Sequence, residues 1–164
     1  MPIIKKFFPV SHPRRVVKYF NVGTTSSLIP LYSVNLRPYS VNALTSISES
    51  PFQFGLLYAG SDDGYIHVSK NGGGTWTRIS DALPENLWVS RVVASKFKKE
   101  RVYATLNGYR FDDFTPYIYV SEDYGQTWRN LGNALPAAAV NVLKEDSENE
   151  NLLFVGTDNG LYTS

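Results

Sequence analysis

Glycoside hydrolysis uses two acidic side chains set ~5 to 10 Å apart across the scissile bond. The chain offers several acidic candidates: Glu122-Asp123 in SEDYGQTW, Asp112-Asp113 in YRFDDFTPY, Asp62-Asp63 in GSDDGY and Asp158 in GTDNG. Their neighbours narrow the chemistry. GSDDG and GTDNG have the composition of tight hairpin turns, where Asp, Asn and Gly serve backbone geometry. Asp123 lies among Ser121, Gly125, Thr127 and Trp128, and an octet from Ser69, SKNGGGTW, repeats the pattern with Asn71 in the aspartate position. An acid catalyst or metal ligand must keep its carboxylate, whereas the acceptor that closes a turn can be Asp or Asn.

The octet residues Ser69, Asn71, Gly73, Thr75, Trp76, Ser121, Asp123, Gly125, Thr127 and Trp128 are therefore read as structural. The third side chain accepts from nearby backbone N–H groups, the glycine supplies positive φ, and the tryptophan packs as an apolar plate with one polar edge. Glu122 alternates outward and is expected to be solvated.

Other chemistries find little footing. There is no cysteine, so neither a disulfide framework nor a thiolate metal site can form. His12 and His67 are the only histidines, and neither has a second histidine beside it. NGGG lies in a hairpin turn with no helix after it, so it is not a phosphate loop. No catalytic, cofactor-binding or metal-binding residue is assigned. A net charge of +1 makes no general case for nucleic acid, and no apolar run is long enough to insert in a membrane.

One segment keeps a functional reading. YRFDDFTPY places Tyr109, Arg110, Asp112, Asp113 and Tyr117 on an insertion, where aromatic and polar groups suit a sugar or a peptide. The competing reading is an Arg110–carboxylate contact that merely orders a long loop.

The elements that must position these residues form a repeat. Three segments align: Leu44 to Pro84, Val89 to Pro136, and Val140 to Ser164. Tyr58, Tyr103 and Phe154 correspond, spaced 45 and 51 residues apart, and an aliphatic stands eleven residues before each: Ile47, Val92 and Leu143. The longer spacing is the insertion around Arg110–Pro116. Within each unit the runs are short, β-branched and aromatic, and divided by turn residues. The first unit predicts strands at 44–48, 56–60, 65–70 and 75–80. In YIHVS and YIYVS, alternation puts Ile66 and Val68, or Ile118 and Val120, on one face. KFKKE and EDSENEN fall in the same loop of successive units and read as solvated turns.

Repeats of four antiparallel strands at this period fit β-propeller blades. The expected architecture is all-β, an incomplete β-propeller of about three four-stranded antiparallel blades, the last cut short. Residues 44–88, 89–139 and 140–164 form the blades. Residues 1–43 are expected to be a divergent lead-in or partial blade. Residues 1–48 contain six basic residues and no acidic one, but the basic residues are scattered among Tyr, Phe and Val. The chain is expected to be part of a larger propeller, or a protomer that completes one by self-association, because two blades and part of a third leave edges unpaired.

Both octets match the Asp-box, or BNR repeat, Ser-x-Asp-x-Gly-x-Thr-Trp; Asn71 is the one departure. With SPFQFGLLYAGSDDG, WVSRVVASKF, LLFVGTDNGLYTS and the repeated ALP, the sequence from Leu44 to Ser164 resembles bacterial sortilin-like, glycosyl-hydrolase-like Asp-box proteins. The resemblance implies a many-bladed propeller in a longer, often exported or periplasmic chain. Asp-box proteins include sialidases, xyloglucanases, sortilin receptors and a photosystem assembly factor, so the box does not fix function. The expected role is glycan or peptide binding. Two alternatives stand beside it: a non-catalytic part of a glycoside hydrolase, and an assembly scaffold whose partners are the remaining blades.

Overall fold

The computed structural model describes residues 43–164. The expectation for residues 1–43 therefore falls, Ala43 apart, outside the described residues. Short apolar runs between Gly-, Asp- and Ser-rich turns cannot continue as helices, and the described residues fold into eleven strands. The first blade holds β1 (Leu44–Glu49), β2 (Leu57–Ser61), β3 (Ile66–Ser69) and β4 (Thr77–Arg78). The second holds β5 (Trp88–Ala94), β6 (Val102–Gly108), β7 (Asp113–Ser121) and β8 (Arg129–Asn130). The third has β9 (Val140–Glu145), β10 (Leu153–Thr157) and β11 (Gly160–Thr163). Each sheet runs in chain order with every pair antiparallel, as an incomplete β-propeller requires.

The aligned aliphatics take one register. Ile47 pairs with Ala59, Val92 with Ala104, and Leu143 with Val155. All three first hairpins also shift register at the same place, beside Ser46, Arg91 and Val142. A bulge there bends and twists the strand.

Stability comes from stacking. A hairpin alone is marginal, so each sheet must bury its faces against another. The second blade shows how alternation does this. Val102, Ala104 and Leu106 join Leu56, Tyr58, Ile66 and Val68 of the first blade in one core. Tyr103, Ile118 and Val120 turn the other way and join Val140, Leu143 and Val155 of the third blade. Each fully buried apolar side chain contributes roughly 1.5–3 kcal/mol, an upper bound.

Three expectations need correction. The fourth strands pair over only two residues each, Thr77–Arg78 and Arg129–Asn130, because the threonine and tryptophan before them belong to the octet turn. Glu122 is half-exposed but bonded, with its carboxylate 2.9 and 3.1 Å from Arg101 Nε. The loops of KFKKE and EDSENEN meet across adjacent blades instead of standing free: Glu150 lies 4.0 Å from Lys98 Nζ and 3.5 Å from Arg101 Nη1.

Candidate binding cleft between the second and third blades

The octets consume their own polar groups. Asp123 Oδ1 accepts from Ser121 Oγ at 2.7 Å and from the Thr127 N–H at 2.8 Å, while Oδ2 accepts from Thr127 Oγ1 at 2.6 Å. Ser121 Oγ in turn accepts from the Gly125 N–H at 2.7 Å. Burial opposes ionisation of Asp123, but the bonds from Thr127 and Ser121 outweigh it and hold the carboxyl at about 2. Asn71 repeats the arrangement: its Oδ1 accepts from Ser69 Oγ and the Thr75 N–H, and its Nδ2 donates to Thr75 Oγ1. An amide therefore makes the carboxylate's bonds.

The tryptophans differ. Trp128 Nε1 donates across the blade boundary to the Ile79 carbonyl at 2.7 Å, whereas Trp76 Nε1 donates to Gly73 within its own turn at 3.1 Å. Gly125, at φ +90°, packs so closely on Ile79 that a Cβ would stand 2.3 Å from Ile79 Cδ1.

The insertion after β6 folds as a 3-10 turn, Tyr109–Phe111, closed by Asp112 at a left-handed φ of 56°. The Tyr109 N–H is held by Asn107 Oδ1 at 2.9 Å. Asp113 then starts β7 and pins the hairpin: Oδ1 accepts from the Thr115 N–H and Oδ2 from the Tyr117 hydroxyl, at 2.9 and 2.8 Å. The backbone bond from Thr115 and the Tyr117 hydroxyl lower its pKa. Arg110 makes no ion pair with Asp112 or Asp113; its guanidinium lies 5.2 Å from the centre of the Trp88 ring.

Tyr109 and Arg110 border an open cleft of about 460 Å³ where the insertion meets the third blade. Trp88 at the start of β5 and Phe114 complete its aromatic wall, with the Tyr109 and Phe114 rings edge to face at 6.0 Å. A ladder of polar groups crosses it. Asn107 Nδ2 donates to Asn141 Oδ1 at 2.9 Å, and Asn141 Nδ2 donates to Asp158 Oδ1 at 2.7 Å. Asn159, beside Asp158, donates to the Ala137 carbonyl. Trp88 Nε1 is buried without a hydrogen-bond partner among the described residues.

Of the five loop residues singled out in the sequence, the structure brings Tyr109 and Arg110 to this cleft and leaves Asp112, Asp113 and Tyr117 outside its lining. Sequence reasoning missed Trp88, Asn107 and Asn141. Trp88 had a usable signal, being the one tryptophan of three that no octet accounts for.

No family model matches the sequence, and no curated protein matches it either. Solved structures do share its fold. An ancestral GH74 enzyme superposes with a TM-score of 0.57 at 18% identity, over 74% of this chain and 17% of that one. The GH74 xyloglucanase from Xanthomonas campestris gives 0.55 at 15% identity, over 74% and 22%. A structure of YCF48 bound to D1 peptide gives 0.54 at 15% identity, over 85% and 40%. The chain thus spans less than half the length of each, and at these identities the likeness is one of fold: all are β-propellers.

Proposed function

We propose that this chain is a segment of an Asp-box repeat propeller, of the sortilin-like and glycosyl-hydrolase-like kind, that binds carbohydrate in the cleft between its second and third blades. The observation that carries the reading is the pairing of aromatic faces with an amide and carboxylate ladder in one open cleft. Sugar rings present C–H faces that stack on aromatic rings, and hydroxyls that both donate to Asp158 and accept from Asn and Arg side chains.

Binding is favoured over hydrolysis because, among the described residues, Asp158 is the only acidic one lining the cleft, and a glycosidase needs two. If the whole protein is a glycoside hydrolase, as GH74 likeness allows, the cleft contributes a binding subsite and the catalytic pair lies in other blades. A peptide ligand is the second reading, favoured by the YCF48 structure with its bound peptide. The remaining blades of the ring are the expected structural partners, and export follows from the family resemblance. Among the described residues no helix is long and apolar enough to cross a membrane.

The test is calorimetric titration of neutral and acidic oligosaccharides and of short peptides against the chain and its variants. Trp88→Ala and Asp158→Ala should each weaken sugar binding about tenfold or more, since one lost hydrogen bond or stacking contact is worth roughly 1–1.5 kcal/mol. The double variant Asp112→Ala, Asp113→Ala should bind as the parent does. Sugar affinity indifferent to both Trp88 and Asp158 sinks the reading; peptide binding that depends on them transfers the site to a peptide.

A further inference from the structure

The chain contains three Asn-Gly pairs: Asn71-Gly72, Asn107-Gly108 and Asn159-Gly160. Asparagine before glycine is the dipeptide most prone to spontaneous deamidation, because a glycine nitrogen has no Cβ beside it to block its approach to the side-chain carbonyl carbon. Whether it attacks depends on how firmly the fold holds the amide and that nitrogen.

The three pairs differ in this hold. Asn107 is 5% exposed; its Nδ2 donates to the Val140 carbonyl and to Asn141 Oδ1, and its Oδ1 accepts from the Tyr109 N–H. Gly108 is crowded as well, since a Cβ there would stand 2.7 Å from Asp113 Cβ. Asn71 is exposed, but three bonds to Ser69 and Thr75 fix its amide, and the Gly72 N–H is engaged by the Gly55 carbonyl at 2.9 Å. Asn159 is exposed and held least. Its amide makes one bond, from Nδ2 to the Ala137 carbonyl at 3.2 Å, and its Oδ1 accepts none from the described residues. Gly160 stands opposite Thr157 on the rung of the ladder next to the turn, where local opening costs least. A Cβ on Gly160 would meet nothing within 4 Å, so there is room for a ring to close.

We propose that Asn159 is a spontaneous modification site, whose deamidation by water places a second carboxylate beside Asp158 at the wall of the cleft. The Gly160 nitrogen gives its proton to solvent base and bonds to Asn159 Cγ; the Cγ–Nδ2 bond breaks and ammonia leaves. Water then opens the resulting succinimide at one of its two carbonyls, giving aspartate or the β-linked isoaspartate. Either product adds one negative charge where Asn159 lines the cleft. Isoaspartate also inserts a methylene into the backbone of the turn between β10 and β11. The modification stands whatever the cleft binds; only its effect on a ligand rests on the sugar reading.

The experiment stores the full chain in mildly alkaline buffer, folded or in guanidinium chloride, and follows the three Asn-Gly peptides over time by mass spectrometry. In the folded chain, aspartate and isoaspartate should accumulate at residue 159 about tenfold or more faster than at 71 or 107, the factor by which one retained hydrogen bond slows a step. In denaturant the three rates should converge. Asn159→Gln should abolish the acidic species that ageing of the folded chain produces on ion-exchange chromatography. Equal rates at the three sites in the folded chain overturn the proposal, and so does a preference for 159 that persists in denaturant.

Discussion

The two blade junctions are built from one repeat and sealed by different chemistry. At the first, neutral groups cross the boundary: Ser46 and Ser48 hydroxyls accept from the Val92 and Ala94 N–H groups, both at 3.0 Å, and the Trp128 indole closes the outer end. At the second, a buried carboxylate takes that place. Glu145, 1% exposed, accepts from Ser95 Oγ at 2.7 Å, from the Lys96 N–H at 2.6 Å and from the Tyr103 hydroxyl at 3.2 Å. Burial pushes the Tyr103 hydroxyl up to about 12, with the neighbouring Glu145 charge adding to the effect. The first junction is a continuous apolar core; the second keeps a smaller core and opens into the candidate cleft. Ligand-accessible space has gathered where the packing is less complete.

The largest test of this contrast is Trp128→Ala. It removes a large apolar side chain and orphans nothing but a carbonyl, so about 3 kcal/mol should be lost, the low end for a half-buried tryptophan. Urea unfolding reads the change. Glu145→Ala should cost a similar amount, about 3 kcal/mol, because it strands three donors and removes the most distant of the three carboxylates around Arg101, 3.9 Å away. Ser48→Ala at the first junction leaves one backbone N–H unpaired and should cost only about 1 kcal/mol. Equal losses for Glu145→Ala and Ser48→Ala would show that the two junctions are held alike.

A finer test uses the glycines of the two octets. Gly73 and Gly125 share the positive φ, at 89° and 90°, so alanine is strained at both. Only at Gly125 would the new Cβ meet the neighbouring blade; at Gly73 the nearest atom is Trp76 Cζ2 at an ordinary 3.6 Å. Gly73→Ala should cost about 1 kcal/mol. Gly125→Ala should cost roughly 2 kcal/mol more, from overpacking.

The fold was legible because it is written three times. Tyr58, Tyr103 and Phe154 fix the period, and the octets mark where each outer hairpin turns, so strand order and face followed from spacing alone. The fourth strands came out too long because Thr75 and Trp76 look like strand residues until the turn claims them. What crosses between blades was hidden. Glu145 sits in an acidic run that reads as solvent-facing, yet its partner Ser95 is fifty residues away and nothing local announces it. The candidate cleft was half visible for the same reason. Tyr109 and Arg110 stood out on an insertion, while Trp88 reaches it through pairing with Asn107 in the same sheet and Asn141 and Asp158 only through the stacking of blades.

The smallest expected effect concerns charge within the octets. Asn71 makes with an amide the bonds that Asp123 makes with a carboxylate, so Asp123→Asn should cost about 1 kcal/mol or less near neutral pH, after solvent screening of a partly exposed group. Its pH dependence carries the information. The folded pKa of Asp123 is lowered from 3.8 to about 2, so its ionised form stabilises the fold above the ordinary carboxylate value. That contribution is lost as pH falls through the window between those two values. The stability gap between the parent chain and Asp123→Asn should therefore shrink on acidification from pH 5 to pH 2. Asn71→Asp should open a gap of the opposite sign over the same window, as its new carboxylate gains the bonds from Ser69 and Thr75. Melting temperatures of the three chains across that range measure both slopes, and parallel curves would mean that the octet senses only hydrogen-bond geometry and not charge.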